Sequence, residues 1–373
     1  MKLTKLSLIA TLAISSAMAG GDIAPEVQPS TQVKEEVKQS DTTLNGKLTG
    51  YYYTDESVDL FDKDSSELGF ATTLDVTHKF NDNISMNLSA VGYVNSIKRN
   101  KMMEGDKNGA FINVANITAN YADTTFILGR QLLDTPMLGS FDWLLAPSSF
   151  EAYTISNQSF KDITLVASYV RTIRDNNAGD NFNELDGDNW TLGAVYDDKT
   201  ISANLWYYNV DGAIDKYTQF YLDAGYDFGS FAAAAQYVMT DYDAGDDSDL
   251  FAIKATTSLN GFDLLAAYSN VSDNVAAFVG RDTIYTSSWN TFASTSEGNA
   301  FKVEASTTYE GVSATASYAY YEYEQLDDEG YEFDLILGYE ITKAIDANLV
   351  FTNTDYGIGD DVNALEVFAN YKF

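Results

Sequence analysis

Carboxylates are the side chains this sequence offers most freely for chemistry. Asp241, Asp243, Asp246, Asp247 and Asp249 crowd one short stretch, and hard cations such as Ca2+ take roughly six to eight oxygen ligands of this kind. The spacing is not that of an EF-hand and the closing Glu is missing. A solvated acidic loop is therefore the plainer expectation, with a Ca2+ site as the alternative. His78 is the single histidine. A catalytic Ser-His or Asp-His pair needs a histidine within hydrogen-bond reach of a nucleophile or water. His78 instead shares alternation with Leu74 and Val76, an apolar strand-end position, so neither enzyme nor cofactor is expected. The third candidate is the stretch Gly129 to Ala152, which holds Arg130, Asp134, Asp142, Trp143, Leu144 and Glu151 between Pro136 and Pro147. Two prolines exclude a central strand. A loop so long and apolar is out of place on the outside of a fold, and the expectation is that it packs inside something hollow.

The elements around these residues supply the hollow. From Leu44 to Phe373, runs rich in Tyr, Phe, Val and Thr alternate apolar with polar, the period of a strand. Phe301, Val303, Ala305 and Tyr309 oppose Lys302, Glu304, Ser306 and Thr308; Tyr331, Phe333, Leu335 and Leu337 oppose Glu332 and Asp334. Short turns, such as Asn81-Asp82-Asn83, Asn260-Gly261 and Glu310-Gly311, alternate with long loops near 55–65, 98–109, 132–150, 175–188, 211–216, 241–248, 271–298, 324–330 and 355–361. Eight short turns and nine long loops give about eighteen strands. The fold class expected is all-β: a transmembrane antiparallel β-barrel with both ends on the short-turn side. Residues 1–19 read as a signal peptide, with Lys2 and Lys5, an apolar core from Leu6 to Ile14, and Ala17-Met18-Ala19 before the cut. Residues 20–43 read as a periplasmic arm, residues 44–373 as the barrel, and 132–150 as the loop inside it.

Composition agrees. The formal charge is −33, with no Cys, four Pro, 26 Tyr and 21 Phe. Such acidity excludes a nucleic-acid partner, because nothing would neutralise phosphates. Positions expected to face lipid are almost uncharged, as a membrane-embedded band requires. Aromatic groups at Tyr51-Tyr52-Tyr53, Trp206-Tyr207-Tyr208 and Tyr320-Tyr321 fit interfacial girdles. The last strand ends on Tyr371 and Phe373, similar to the assembly signal of bacterial outer-membrane barrels. Lys98, Arg99, Lys101 and Lys107 make one loop basic, for contact with a neighbouring subunit, with lipopolysaccharide phosphate, or with solvent alone.

Within this frame Gly129-Arg130-Gln131, Leu133-Asp134-Thr135-Pro136, Asp142, Pro147 and Phe150-Glu151-Ala152 resemble the third extracellular loop of the Opr/OprD-like porins, which include the major outer-membrane porins of ε-proteobacteria. One position departs: Leu144 stands where the family usually has Arg. The resemblance implies a loop folded into the pore, a homotrimer, and a place among outer-membrane lipid and lipopolysaccharide. On that basis Arg130, Asp134, Asp142, Trp143, Leu144 and Glu151 are expected at the constriction. Arg130 shares alternation with Phe126 and Leu128, so a pore role there requires a bulge, the other reading being a loop-anchoring ion pair. Lys47, Lys254, Lys302, Glu304, Glu332 and Asp334 are expected on the pore wall. The functional expectation is a passive channel for small hydrophilic solutes and ions that favours cations. The alternatives are a substrate-specific OprD-like channel, and a structural or adhesive barrel whose loops bind a surface.

Overall fold

Period-two alternation becomes a single closed antiparallel sheet. The computed structural model describes residues 41–97, 108–212, 216–275, 283–290, 297–323, 328–357 and 359–373. The segment read as a signal peptide, nearly all of the one read as an arm, and the basic group Lys98, Arg99, Lys101 and Lys107 lie outside them. In chain order the strands are β1 (Thr42–Asp55), β2 (Ser66–Lys79), β3 (Ile84–Ile97), β4 (Asn108–Tyr121), β5 (Thr124–Gln131), β6 (Ser149–Phe160), β7 (Ile163–Arg174), β8 (Asn183–Glu184) and β9 (Trp190–Asp197). There follow β10 (Ile201–Val210), β11 (Tyr217–Asp227), β12 (Ala232–Tyr242), β13 (Ser248–Leu259), β14 (Phe262–Val271), β15 (Gly298–Tyr309), β16 (Val312–Tyr323), β17 (Asp328–Thr342), β18 (Ile345–Asp355) and β19 (Val362–Lys372). The two-residue β8 sits in the loop after β7, leaving eighteen strands in the wall. β7 pairs β9, and β1 pairs both β2 and β19. Closure leaves no open edge. Strand β1 begins at Thr42, two residues into the expected arm, because Thr42 and Thr43 pair with His78 and Thr77.

Local chemistry sets the hairpins. Asn260-Gly261 and Glu310-Gly311 both adopt positive φ (53° and 86°, 50° and 85°), the twist that lets a two-residue turn join adjacent strands without splaying them. Each strand then presents one face inward. On β13, Leu250 and Ala252 are fully buried while Phe251 and Ile253 stand exposed on the outside. Exposed aromatics ring both ends: Phe80, Phe160, Phe262 and Tyr309 by the short turns, and Tyr207, Phe251 and Phe301 by the long loops. Such belts mark membrane–water interfaces. Among the described residues no helix is long and apolar enough to cross a membrane; the strands cross it.

One expectation changes. The aromatic groups are not wholly girdle. Tyr51, Tyr53, Trp206, Tyr208 and Tyr321 are buried inside the barrel, and only the alternate members such as Tyr207 point out, as period two demands. The acids of residues 241–249 do not converge: among the described residues no three acids, His or Cys form a group able to hold a metal. Asp249 accepts from the Tyr237 hydroxyl and Asp247 from the Tyr242 amide, while the remaining acids stand in solvent. His78, bonded through Nδ1 to Thr42 Oγ1 at 2.8 Å and edge-on to Phe80, sits at the short-turn rim.

Candidate functional site

Two loops leave the wall and meet inside the barrel. The first begins at Gly129, whose φ of 118° and whose approach to the Ala115 carbonyl (2.4 Å from an added Cβ) admit only glycine. Gln131 then points inward, and its amide donates to the carbonyl of Ala152 at 2.9 Å. Asp134 Oδ1 accepts from the amide and hydroxyl of Ser140 at 2.8 and 2.9 Å, closing a compact turn in the way Asp side chains favour. Within that turn the Met137 amide donates to the Tyr208 hydroxyl, which donates to Thr135 Oγ1.

The far end of the loop is clamped by a residue the sequence did not single out. Arg174 is completely buried. Its Nη1 donates to the Pro147 carbonyl at 3.0 Å, its Nε to the Gly179 carbonyl at 2.6 Å, and its guanidinium lies 3.9 Å from the Phe111 ring centre. Asn113 reinforces the same point, donating to the Pro147 carbonyl and accepting from Ser149 Oγ. Beside it, burial pushes the Asp175 carboxyl up, with the Arg174 charge opposing.

Between these anchors the loop spans the lumen. Leu133, Met137 and Leu138 join a cluster with Trp206, Tyr208, Tyr221 and Leu250 of β10, β11 and β13. Leu144, Leu145 and Ala146 join another with Tyr51, Val91, Phe111 and Phe368 of β1, β3, β4 and β19. Those walls lie on opposite sides of the closed strand order, so the loop bridges the barrel. Each fully buried Leu or Met contributes roughly 1.5–3 kcal/mol to holding it there.

The second loop, residues 283–290, was legible only as part of a long connection. It is buried from Ile284 to Ser288. Gln236 donates to the Thr283 carbonyl at 2.8 Å, and Ser269 shares a hydrogen bond with Thr286 at 2.6 Å. The Trp289 indole donates to Glu366 Oε1 at 2.8 Å, while the Asn290 amide donates to Glu332 Oε1 at 2.7 Å. Trp289 meets Trp143 of the first loop with ring centres 6.3 Å apart. The loops touch at this pair and, through Thr283 Oγ1 donating to the Pro136 carbonyl, at the opposite side.

The expected site residues divide into three groups. Asp142 reaches Lys47 at 3.4 Å, and both line a luminal cavity of about 600 Å³. Asp134 and Lys254 line a second cavity of about 410 Å³ with Trp206, Tyr221, Asp223 and Tyr285. Lys254 lies over the Tyr285 ring; Lys302 pairs with Glu304 at 3.1 Å and donates to the Ser287 carbonyl. A second group is inward but covered. Glu332 and Asp334 are 0% and 2% exposed beneath loop 283–290, rather than bare pore wall. Leu144 is 4% exposed, packed against the wall by the clustering just described, so it fills space instead of facing solute. The third group points outward. Glu151 shares its face with the exposed Tyr153 and Ile155 and contacts Arg171 at 3.6 Å. Arg130, its cross-strand partner, donates to the Ile112 carbonyl and stacks on Phe182. Both therefore anchor the rim.

The sequence pattern of the Gram-negative porin family matches residues 7–360. The chain belongs to that family. Solved structures carry the same fold. OccK8 (OprE) of Pseudomonas aeruginosa superposes with a TM-score of 0.75 at 16% identity, covering 89% of this chain and 98% of that one. OpdK of Pseudomonas aeruginosa, solved with vanillate, gives 0.78 at 13% identity over 89% and 98%. A BenF-like porin from Pseudomonas fluorescens also gives 0.78 at 13% identity over 89% and 98%. A search of curated proteins gives no match. This Gram-negative porin is an outer-membrane channel, and its fold is the one seen in those channel structures.

Proposed function

We propose that this porin is a passive diffusion channel for small hydrophilic solutes and ions that favours cations. The observation carrying this reading is the charge of the interior. Inward carboxylates at Asp75, Asp142, Asp223, Glu304 and Asp346 stand against ammonium groups at Lys47, Lys254, Lys302 and Lys372, and the loops around the mouth are acidic. A net negative, low-dielectric passage raises local cation concentration. The test is the reversal potential of planar bilayers under a KCl gradient, expected with the sign of K+ preference; Cl− preference would overturn it. Passage needs no cofactor. The uncharged outer band supports a lipid and lipopolysaccharide surround, and the family resemblance supports a homotrimer, which cross-linking in native membranes would test.

A solute-selective channel is the second reading. The 410 Å³ cavity sets Lys254 among Trp206, Tyr221 and Tyr285, a lining suited to an aromatic ring bearing a carboxylate, the class to which vanillate belongs. Current block by vanillate that disappears in Lys254→Met would favour it.

A further inference from the structure

We propose that Glu332, Asp334 and Thr354 form a binding site for a divalent hard cation of the calcium class, set into the barrel wall behind loop 283–290. Glu332 and Thr354 are cross-strand partners on β17 and β18, and Asp334 follows on the same inward face. Exposure is 0%, 2% and 2%. Each carboxylate commits one oxygen to the protein. Glu332 Oε1 accepts from the Asn290 amide, and Asp334 Oδ2 accepts from Ser317 Oγ at 2.9 Å and the Trp289 amide at 3.3 Å. Among the described residues the other oxygens, Glu332 Oε2 and Asp334 Oδ1, have no donor in good hydrogen-bond geometry, and Thr354 Oγ1 has no such partner either. Three buried oxygens without partners on one small patch are costly unless something fills the gap.

Asp334 and Thr354 both lie within reach of the Glu332 carboxylate, and the Tyr356 hydroxyl within reach of Thr354, so the oxygens converge on one point. Two ionised carboxylates have no hydrogen to share, so the gap takes a proton or a cation. The surrounding charge favours the cation. Lys302 on β15 is the ammonium facing Asp334, and it is already engaged by Glu304 and by the Ser287 carbonyl. Glu366 on β19 adds a further carboxylate, holding the Tyr51 hydroxyl and the Trp289 indole, and Tyr356 adds a neutral phenol. Glu332, Asp334, Glu366 and Glu304 stand against Lys302 and, beyond Glu304, Lys254, a deficit of two charges that a divalent ion meets. The donors are all oxygen, which selects a hard ion, and Ca2+ tolerates an irregular shell completed by water better than Mg2+ does. Because the same carboxylates hold the Trp289 and Asn290 amides, the ion would brace loop 283–290 against the wall. This site is independent of the selectivity of the pore.

The test is calorimetric titration of the chelator-treated full chain in detergent with CaCl2, MgCl2 and KCl. Expected are saturable binding of one Ca2+ per chain, weaker Mg2+ and no K+ binding. Glu332→Gln and Asp334→Asn should abolish the Ca2+ signal. Thr354→Val, which keeps a β-branched residue on the strand, should weaken it by about tenfold, while the double variant Asp246→Asn/Asp247→Asn leaves it unchanged. Absence of saturable Ca2+ binding by the unaltered chain would overturn the proposal in favour of a shared proton, and so would affinity unchanged in Thr354→Val. K+ binding equal to Ca2+ would overturn the divalent assignment.

Discussion

Replacing Arg174 by Met should release the constriction loop without dismantling the barrel. The guanidinium donates to the Pro147 and Gly179 carbonyls and lies on Phe111. Hydrogen bonds from a charged donor contribute roughly 1.5–3 kcal/mol each, and the ring contact about 1–2 kcal/mol. Removing the charge also removes the cost of burying it, which offsets part of that sum. The Pro147 carbonyl keeps the Asn113 amide at 3.1 Å, which limits the loss at that end. A net weakening of the loop anchor by about 2–4 kcal/mol follows, or roughly a 30- to 1000-fold shift toward the released loop. Single-channel recording should show larger and noisier open currents. Semi-native electrophoresis should still show a folded barrel, because the wall pairing β7 with β6 and β9 is untouched. Currents and thermal midpoint identical to the parent would refute the clamp.

Other expectations are more local. Lys47→Met removes the partner of Asp142 at the edge of the larger luminal cavity; the pair is partly exposed, so stability should change by no more than about 1 kcal/mol, while the reversal potential moves further toward cations. Gly129→Ala drives a Cβ into the Ala115 carbonyl at positive φ and should lower stability by more than about 1 kcal/mol, read as an earlier unfolding midpoint. Asp198 lies in a short turn between β9 and β10, where the amides of Ile201 and Thr200 and then the Tyr196 hydroxyl hold its carboxyl below the usual range. A depressed folded value stabilises above the unfolded pKa and is lost as pH falls through the folded one. Asp198→Ala should therefore unfold earlier than the parent at neutral pH, with the gap closing as pH drops below about 4; a gap independent of pH would contradict this.

The wall was legible because period two is written directly in residues such as 301–309 and 331–337, and because Asn260-Gly261 and Glu310-Gly311 mark turns whose twist the strands require. The first inward loop was legible from its apolar character and from Pro136 and Pro147. What sequence could not supply was the partner of each group across the lumen. Arg174 looked like the last residue of a strand before an acidic loop, yet the fold brings Pro147, Gly179 and Phe111 around it. Glu366 was hidden in an apolar, alternating final strand, although it holds both Tyr51 and Trp289. Trp289, an aromatic in the longest loop, was the one local signal that residues 283–290 turn inward. Glu151, and Arg130 in its pore reading, went astray for the opposite reason. Their motif placed them beside the constriction in sequence, while strand alternation puts both on the outer face.

The most direct test of two loops meeting to narrow the passage is the single-channel conductance of the parent against Trp143→Ala/Trp289→Ala. These rings join the loops across the lumen, and truncating them opens the junction while leaving every wall strand intact. Discrete, ohmic current steps are expected for the parent and larger steps for the double variant. Steps of equal size, or a parent barrel that passes no current, would contradict it.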